Sequence, residues 1–147
     1  MMESKTPSFV KIVWTDYSAF LAAIAIVVTS GMLALDQFTH WLGMGDSLIY
    51  MTAIAVLVGV PVIFWRARLI SSVFEFGWEA EADIIDIGFF RDRGRVTYVF
   101  TIQGQRYQVG NAIMKTRFTK SLQRGQKVKV VAQRDNPQKA FIRDMYS

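Results

Sequence analysis

Two apolar runs, neither containing a charged residue, limit this chain more than any other feature. Tyr17 to Leu35, YSAFLAAIAIVVTSGMLAL, has 19 residues, and Leu48 to Trp65, LIYMTAIAVLVGVPVIFW, has 18. At the rise of an α-helix each spans roughly 27 Å, close to the thickness of a bilayer's hydrocarbon core. A buried helix of a soluble protein can be this apolar, but two of them in 147 residues leave too little chain to cover them. A cleaved signal peptide fits the first run poorly, since its apolar stretch exceeds the usual limit of about 15 residues. Ala34-Leu35-Asp36 is also a weak small-x-small cleavage site. The runs therefore predict a transmembrane hairpin over 17–65, with helices at 17–35 and 48–65 and an external loop at 36–47. Pro61 stands late enough that any kink falls near the end of the second helix. Thr15 and Asp16 before the first run, and Asp46 and Ser47 before the second, are residue types that cap helix N-termini.

Charge sets the expected orientation. Lys5 and Lys11 precede the first run, Arg66 and Arg68 follow the second, and the loop between carries Asp36, Asp46 and His40 but no lysine or arginine. By the positive-inside rule both termini face the cytoplasm, giving a multi-pass cell-membrane protein. Trp14, Tyr17, Phe38, Trp41, Phe64 and Trp65 then stand near the two interfaces, where amphipathic rings belong. Ala19 and Ala23 lie four apart, as do Ala55 and Gly59, and these small residues predict a helix-packing seam, within the hairpin or to a partner. No ionisable side chain lies inside either run, which argues against an ion pathway or proton relay.

Beyond the runs the period changes. Residues 66–78, RARLISSVFEFGW, mix basic and apolar side chains and read as a membrane-surface connector. From residue 79 to 147 the pattern is that of a β-domain. Val96, Tyr98, Phe100 and Ile102 alternate with polar residues over Arg95 to Gln103, and Gln103-Gly104 turns the chain into Arg106 to Val109. Lys127 to Ala132 and Ala140 to Arg143 form two further strands around the turn cluster at Asn136-Pro137. Glu79 to Ile87 is a fifth, its alternation slipping at Ile84-Ile85 as at a β-bulge. The expected fold is thus a two-helix membrane hairpin plus a small all-β domain, a barrel-like or curled antiparallel sheet of about five strands, with a 1–16 segment ahead of the hairpin.

Three stretches carry a family resemblance. They are Val96-Thr97-Tyr98-Val99-Phe100-Thr101-Ile102-Gln103-Gly104-Gln105-Arg106-Tyr107, then Gly125-x-x-Val128-x-Val130, then Asn136-Pro137-x-x-Ala140. Over residues 79–143 the chain resembles a widespread bacterial family of membrane-anchored small β-domain proteins of unknown function. The resemblance implies a barrel-like module tethered to a membrane and brings no catalytic residue with it.

Little else points to chemistry. The chain has no cysteine and one histidine, His40, which could ligate a metal or pigment only together with another chain. Glu75, Glu79, Glu81, Asp83 and Asp86 cluster without histidine or cysteine nearby and read as a solvated strand edge. We expect no catalytic, cofactor or metal site. The basic side is richer: residues 88–147 hold 13 Lys and Arg against three Asp, including Lys115, Arg117, Lys120, Arg124, Lys127 and Lys129 within fifteen residues. Other membrane protein subunits and anionic lipid head groups are the expected partners. Single-stranded nucleic acid ranks after them, because the tether is only about ten residues away and membrane electrostatics select the same charge. The functional expectation is a non-enzymatic accessory or assembly subunit that docks on a larger membrane complex, with a tethered binder of anionic lipid or single strands as the alternative.

Overall fold

The computed structural model describes residues 7–39 and 43–146. His40 and Trp41 fall outside the described residues. A short helix α1 (Phe9–Thr15) leads into two long apolar helices, α2 (Tyr17–Thr39) and α3 (Gly45–Phe76). Five antiparallel strands follow: β1 (Trp78–Phe90), β2 (Arg93–Ile102), β3 (Gln105–Met114), β4 (Lys127–Ala132) and β5 (Ala140–Ile142). Helix α4 (Arg117–Ser121) links β3 to β4, and α5 (Arg143–Tyr146) follows β5. The sheet order β3-β2-β1-β4-β5 makes a nearly closed barrel on one end of a helical hairpin. Both long helices are apolar enough to cross a membrane.

The hairpin packs along one seam. On α2 the least exposed residues are Ala19, Ala22, Ala23, Ile26, Thr29, Leu33 and Asp36, spaced three and four apart as one helix face requires. The α3 side presents Leu48, Thr52, Ala55, Gly59, Val62 and Arg66 at the same spacing. Gly59 sits where the backbones come closest: a Cβ there would stand 2.9 Å from Ile26 Cδ1 and 3.2 Å from the Ala22 carbonyl oxygen. The small-residue seam therefore runs between α2 and α3 themselves, and a larger side chain at 59 would prise the pair apart.

The ends of the helices depart from the sequence reading. Asp16 does cap α2, its Oδ1 accepting from the Ala19 amide at 3.0 Å. Asp46 and Ser47, by contrast, do not cap α3, which begins earlier, at Gly45, with no side-chain cap on its first turn. The buried carboxylate of Asp36 takes over at that end, accepting from the amides of Gly43 at 3.0 Å and Gly45 at 3.2 Å. Asp46 is left in the first turn, where a negative charge suits the helix dipole.

A larger difference concerns the connector. Residues 66–76 are not a surface linker but the last third of α3, a single helix of 32 residues. At about 1.5 Å per residue it is roughly 48 Å long, well beyond a hydrocarbon core. Ala67, Ile70 and Val73 fall on one face of that extension and are buried in the same cluster as Ile84, Tyr98 and Val130 of the sheet. Gly77 ends it: a Cβ at this position would lie 2.7 Å from the Ala132 carbonyl oxygen, so only glycine lets the helix end meet β4 this closely. Helix α1, unanticipated in the 1–16 segment, adds Ile12 to the same core while exposing Phe9, Val10 and Trp14.

Strand patterning follows the alternation. Val96, Tyr98, Phe100 and Ile102 of β2 point inward. The β1–β2 register slips between Ile84 and Asp86, leaving Ile85 unpaired as a bulge. Gln103 and Gly104 both have positive φ, as a tight hairpin turn demands. The two edge strands, β3 and β5, meet through side chains rather than a ladder. Tyr98 Oη donates its one hydrogen between Asn111 Oδ1 at 2.8 Å and the Ala140 carbonyl at 2.6 Å, and Asn111 Nδ2 donates to the same carbonyl at 3.1 Å.

Because α1 and α3 supply Ile12, Ala67, Ile70 and Val73 to the barrel's core, the strands do not complete that core alone. A fragment of residues 77–147 loses Ile12, Ala67, Ile70 and Val73 and should remain unfolded in solution. Amide chemical-shift dispersion of the fragment against that of the full chain in detergent checks this. In the full chain, Ile70→Ala should destabilise the barrel by about 2–4 kcal/mol.

Candidate functional site

The junction between hairpin and barrel is the most densely built polar feature of the molecule. Asp16 is 2% exposed and sits between the end of α1 and the start of α2. Arg66 lies where α3 leaves its apolar run. In an antiparallel hairpin the residue before the first span and the residue after the second come to the same level, and these two meet. Arg66 Nε donates to Asp16 Oδ1 at 3.1 Å, and Nη2 donates to Oδ2. The fork-on-carboxylate geometry supplies both charges with hydrogen bonds, which a buried ion pair requires.

The pair also reaches the barrel. Asp16 makes an isolated antiparallel bridge with Ile113 of β3, so the chain at this point covers part of an open sheet edge. The Arg66 guanidinium lies 5.9 Å from the ring centre of Phe141 in β5 and 5.7 Å from that of Trp65. Phe141 meets Tyr146 edge-on at 5.8 Å, and Tyr146 meets Phe74 of α3 edge-on at 6.1 Å. Finally the Ser8 amide donates to the Tyr146 carbonyl at 2.9 Å, joining the start of α1 to α5. Burial pushes the Tyr146 hydroxyl well above the usual tyrosine range, and the Asp16 charge raises it further against the opposing effect of Arg66. Tyr98 is raised in the same way, by burial first and then by Tyr146. Both phenols are therefore neutral at physiological pH.

Beside the pair a groove of about 280 Å³ opens between Trp65, Leu69, Asn111, Gln138 and Lys139. Asp16, Ser18 and Arg66 line it as well. Among the described residues no group of three or more His, Cys, Asp or Glu is close enough to hold a metal.

The basic residues singled out in the sequence fall on β4 and on and around α4. Lys127 and Lys129 stand on β4 directly opposite Asp83 and Glu81 of β1, and Lys127 Nζ lies 3.5 Å from Glu81 Oε2. Glu79, at the head of the same acidic stripe, pairs with Arg143 at 2.7 Å. Glu79, Glu81 and Asp83 of this stripe border, with Arg106, an open groove of about 470 Å³. Lys120 and Arg124 are exposed on α4 and the turn after it. Arg117 is exposed on α4 as well, and Lys115 just before it has its amide donating to the Asp92 carbonyl in the β1–β2 turn at 2.9 Å. Of the packing residues, Ala19 and Gly59 are buried in the α2–α3 seam, and Ala23 and Ala55 are half-buried along it.

Asp16 and Arg66 were each legible in the sequence, one as a cap and one as an orientation signal, but not as partners. The signal available was their opposite charge at the matched ends of two runs. No family model, curated protein or solved structure matches the chain.

Replacing Arg66 by Gln leaves Asp16 buried without its counter-charge and should destabilise the junction by about 3 kcal/mol. Asp16→Asn combined with Arg66→Gln should be less damaging than the sum of the single changes, and a double-mutant cycle on thermal unfolding in detergent reads the coupling. The pH dependence has a definite sign. Tyrosines ionise near pH 10 when unfolded, whereas Tyr98 and Tyr146 resist ionisation in the folded barrel, so their contribution is intact below about pH 10 and is lost as pH rises above it. Circular dichroism and tyrosinate absorbance should show alkaline unfolding and ionisation together, and Tyr98→Phe should reduce the coupled absorbance change.

Proposed function

We propose that this is a non-catalytic integral membrane protein in which the hairpin crosses a bacterial inner membrane and carries the barrel on the cytoplasmic side. There it serves as an accessory or assembly subunit of a larger membrane protein complex. The observation that carries the reading is the rigid seating of the barrel: one uninterrupted helix runs from the apolar span into the sheet's core, and the Asp16–Arg66 pair fixes it from the side. A tethered enzyme or ligand trap gains nothing from a fixed posture, whereas a subunit that must meet its neighbours in one orientation does. The distribution of lysine and arginine supports the cytoplasmic assignment. Exposed Phe9, Trp14, Phe64 and Trp65, gathered at the barrel end of the hairpin, fit an interfacial belt there. The resemblance to membrane-anchored β-domain proteins agrees with this arrangement.

Docking would use two surfaces. The outer faces of the helices present Val27, Val28, Ile54 and Leu57 away from the seam, available to partner helices. The barrel's outer face offers the alternating stripes of Glu79, Glu81 and Asp83 against Lys127 and Lys129, a pattern that specifies register through charge complementarity.

A reporter active only in the cytoplasm should give signal when fused after Ser147 and none when inserted at Gly43. A photo-crosslinker at Leu57, on the outer face, should yield one discrete heavier adduct, whereas one at Ala22, in the seam, should yield only intramolecular products. Migration of the gently extracted chain as a lone protomer on native gels, with no adduct from Leu57, would overturn the subunit reading.

A further inference from the structure

The β1–β2 hairpin ends in Phe90-Arg91-Asp92-Arg93, and its tip does not point into solvent away from the helices. It borders an open groove of about 410 Å³ shared with Tyr17, Phe20 and Leu21 of α2 and Met114 of β3. Phe20 and Leu21 belong to the first two turns of the apolar helix, so the groove begins at the level of Asp16 and runs about 6 Å along the span. Its walls are apolar at the hairpin end and cationic at the barrel end. The guanidinium of Arg91 lies 5.5 Å from the Phe90 ring centre and that of Arg93 5.8 Å, while Arg93 Nη1 reaches Tyr17 Oη at 3.4 Å. Phe90 itself is 63% exposed. Asp92 is the one carboxylate among the lining residues, against the two arginines.

Arg91 has φ of 56°, as the two-residue β1–β2 turn requires and as Gln103 has in the β2–β3 turn. The turn sets Arg91 and Arg93 on either side of Asp92, both beside the exposed Phe90 ring.

We propose that this groove binds one anionic phospholipid, its phosphate between Arg91 and Arg93 and its acyl chain along Phe90, Phe20 and Leu21. The charge and the apolar wall favour that occupant together: a soluble phosphate would leave Phe90 and Leu21 uncovered, and a zwitterionic lipid would bring its own ammonium against the arginines. The site rests on the hairpin crossing a membrane but not on the docking partner.

The full chain in nanodiscs of phosphatidylcholine with a minor share of phosphatidylglycerol tests this, by lipid analysis of the protein released into mild detergent and by native mass spectrometry. One phosphatidylglycerol should be retained per chain. Arg91→Asn with Arg93→Gln, which keeps the turn and removes two charges, should reduce that retention about tenfold. Lys127→Gln with Lys129→Gln removes the same charge from the far side of the barrel and should leave retention unchanged. Equal losses in both pairs, or no loss in the first, would overturn the site in favour of diffuse attraction or of none. Extraction of the wild-type chain by alkaline carbonate would instead overturn the membrane-spanning premise; an inserted chain with no preference for phosphatidylglycerol overturns the lipid site alone.

Discussion

A single ion pair, Asp16 with Arg66, decides how the two halves of this molecule are held. The carboxylate is needed twice over: it caps α2 and accepts the arginine fork, while the backbone of the same residue bridges to β3. Arg66 in turn presents its face to Phe141, so the last strand is drawn onto the helices by the same group. Such a pair contributes little net stability compared with an apolar replacement of equal shape, because desolvation opposes attraction. Its value lies in exclusion: any rotation or sliding of the barrel that separates the two groups leaves a charge buried alone.

The remaining structure is arranged around that constraint. Tyr98 and Asn111 close the sheet by sharing the Ala140 carbonyl, where a full ladder between β3 and β5 would need longer strands than β5 provides. The Ser8 to Tyr146 bond and the paired aromatics of Phe141, Tyr146 and Phe74 then seal the underside against α1 and α3. Charged side chains are left to the outer face, where opposing stripes on β1 and β4 neutralise each other locally.

The parts of this design that sequence reveals are those written in local periodicity. Val96 to Ile102 alternates strictly and became β2; the slip at Ile84-Ile85 became a bulge; two uncharged runs became two helices. What stayed hidden depended on pairing across the chain. Lys127 and Lys129 add to a basic count when read in order, and only the register with Asp83 and Glu81 shows them compensated. The continuation of α3 was obscured because Arg66 and Arg68 break the apolar run, although Ala67, Ile70 and Val73 keep a helical spacing after it. Helix α1, at seven residues, is too short for a period to register. Nothing local to Arg91–Arg93 indicates that this tip folds back beside Tyr17.

The continuity of α3 has a mechanical meaning. A flexible linker filters out what happens in the membrane, but a helix passes torque and tilt along its whole length. Each residue of α3 fixes an angular phase of about 100° and an axial step of about 1.5 Å, so the barrel's azimuth is set by the count of residues between the span and the sheet. In the proposed membrane setting, a rotation of the apolar end of α3 about its axis would be delivered to the sheet as a rotation of the barrel. The helix would act as a crank between the two.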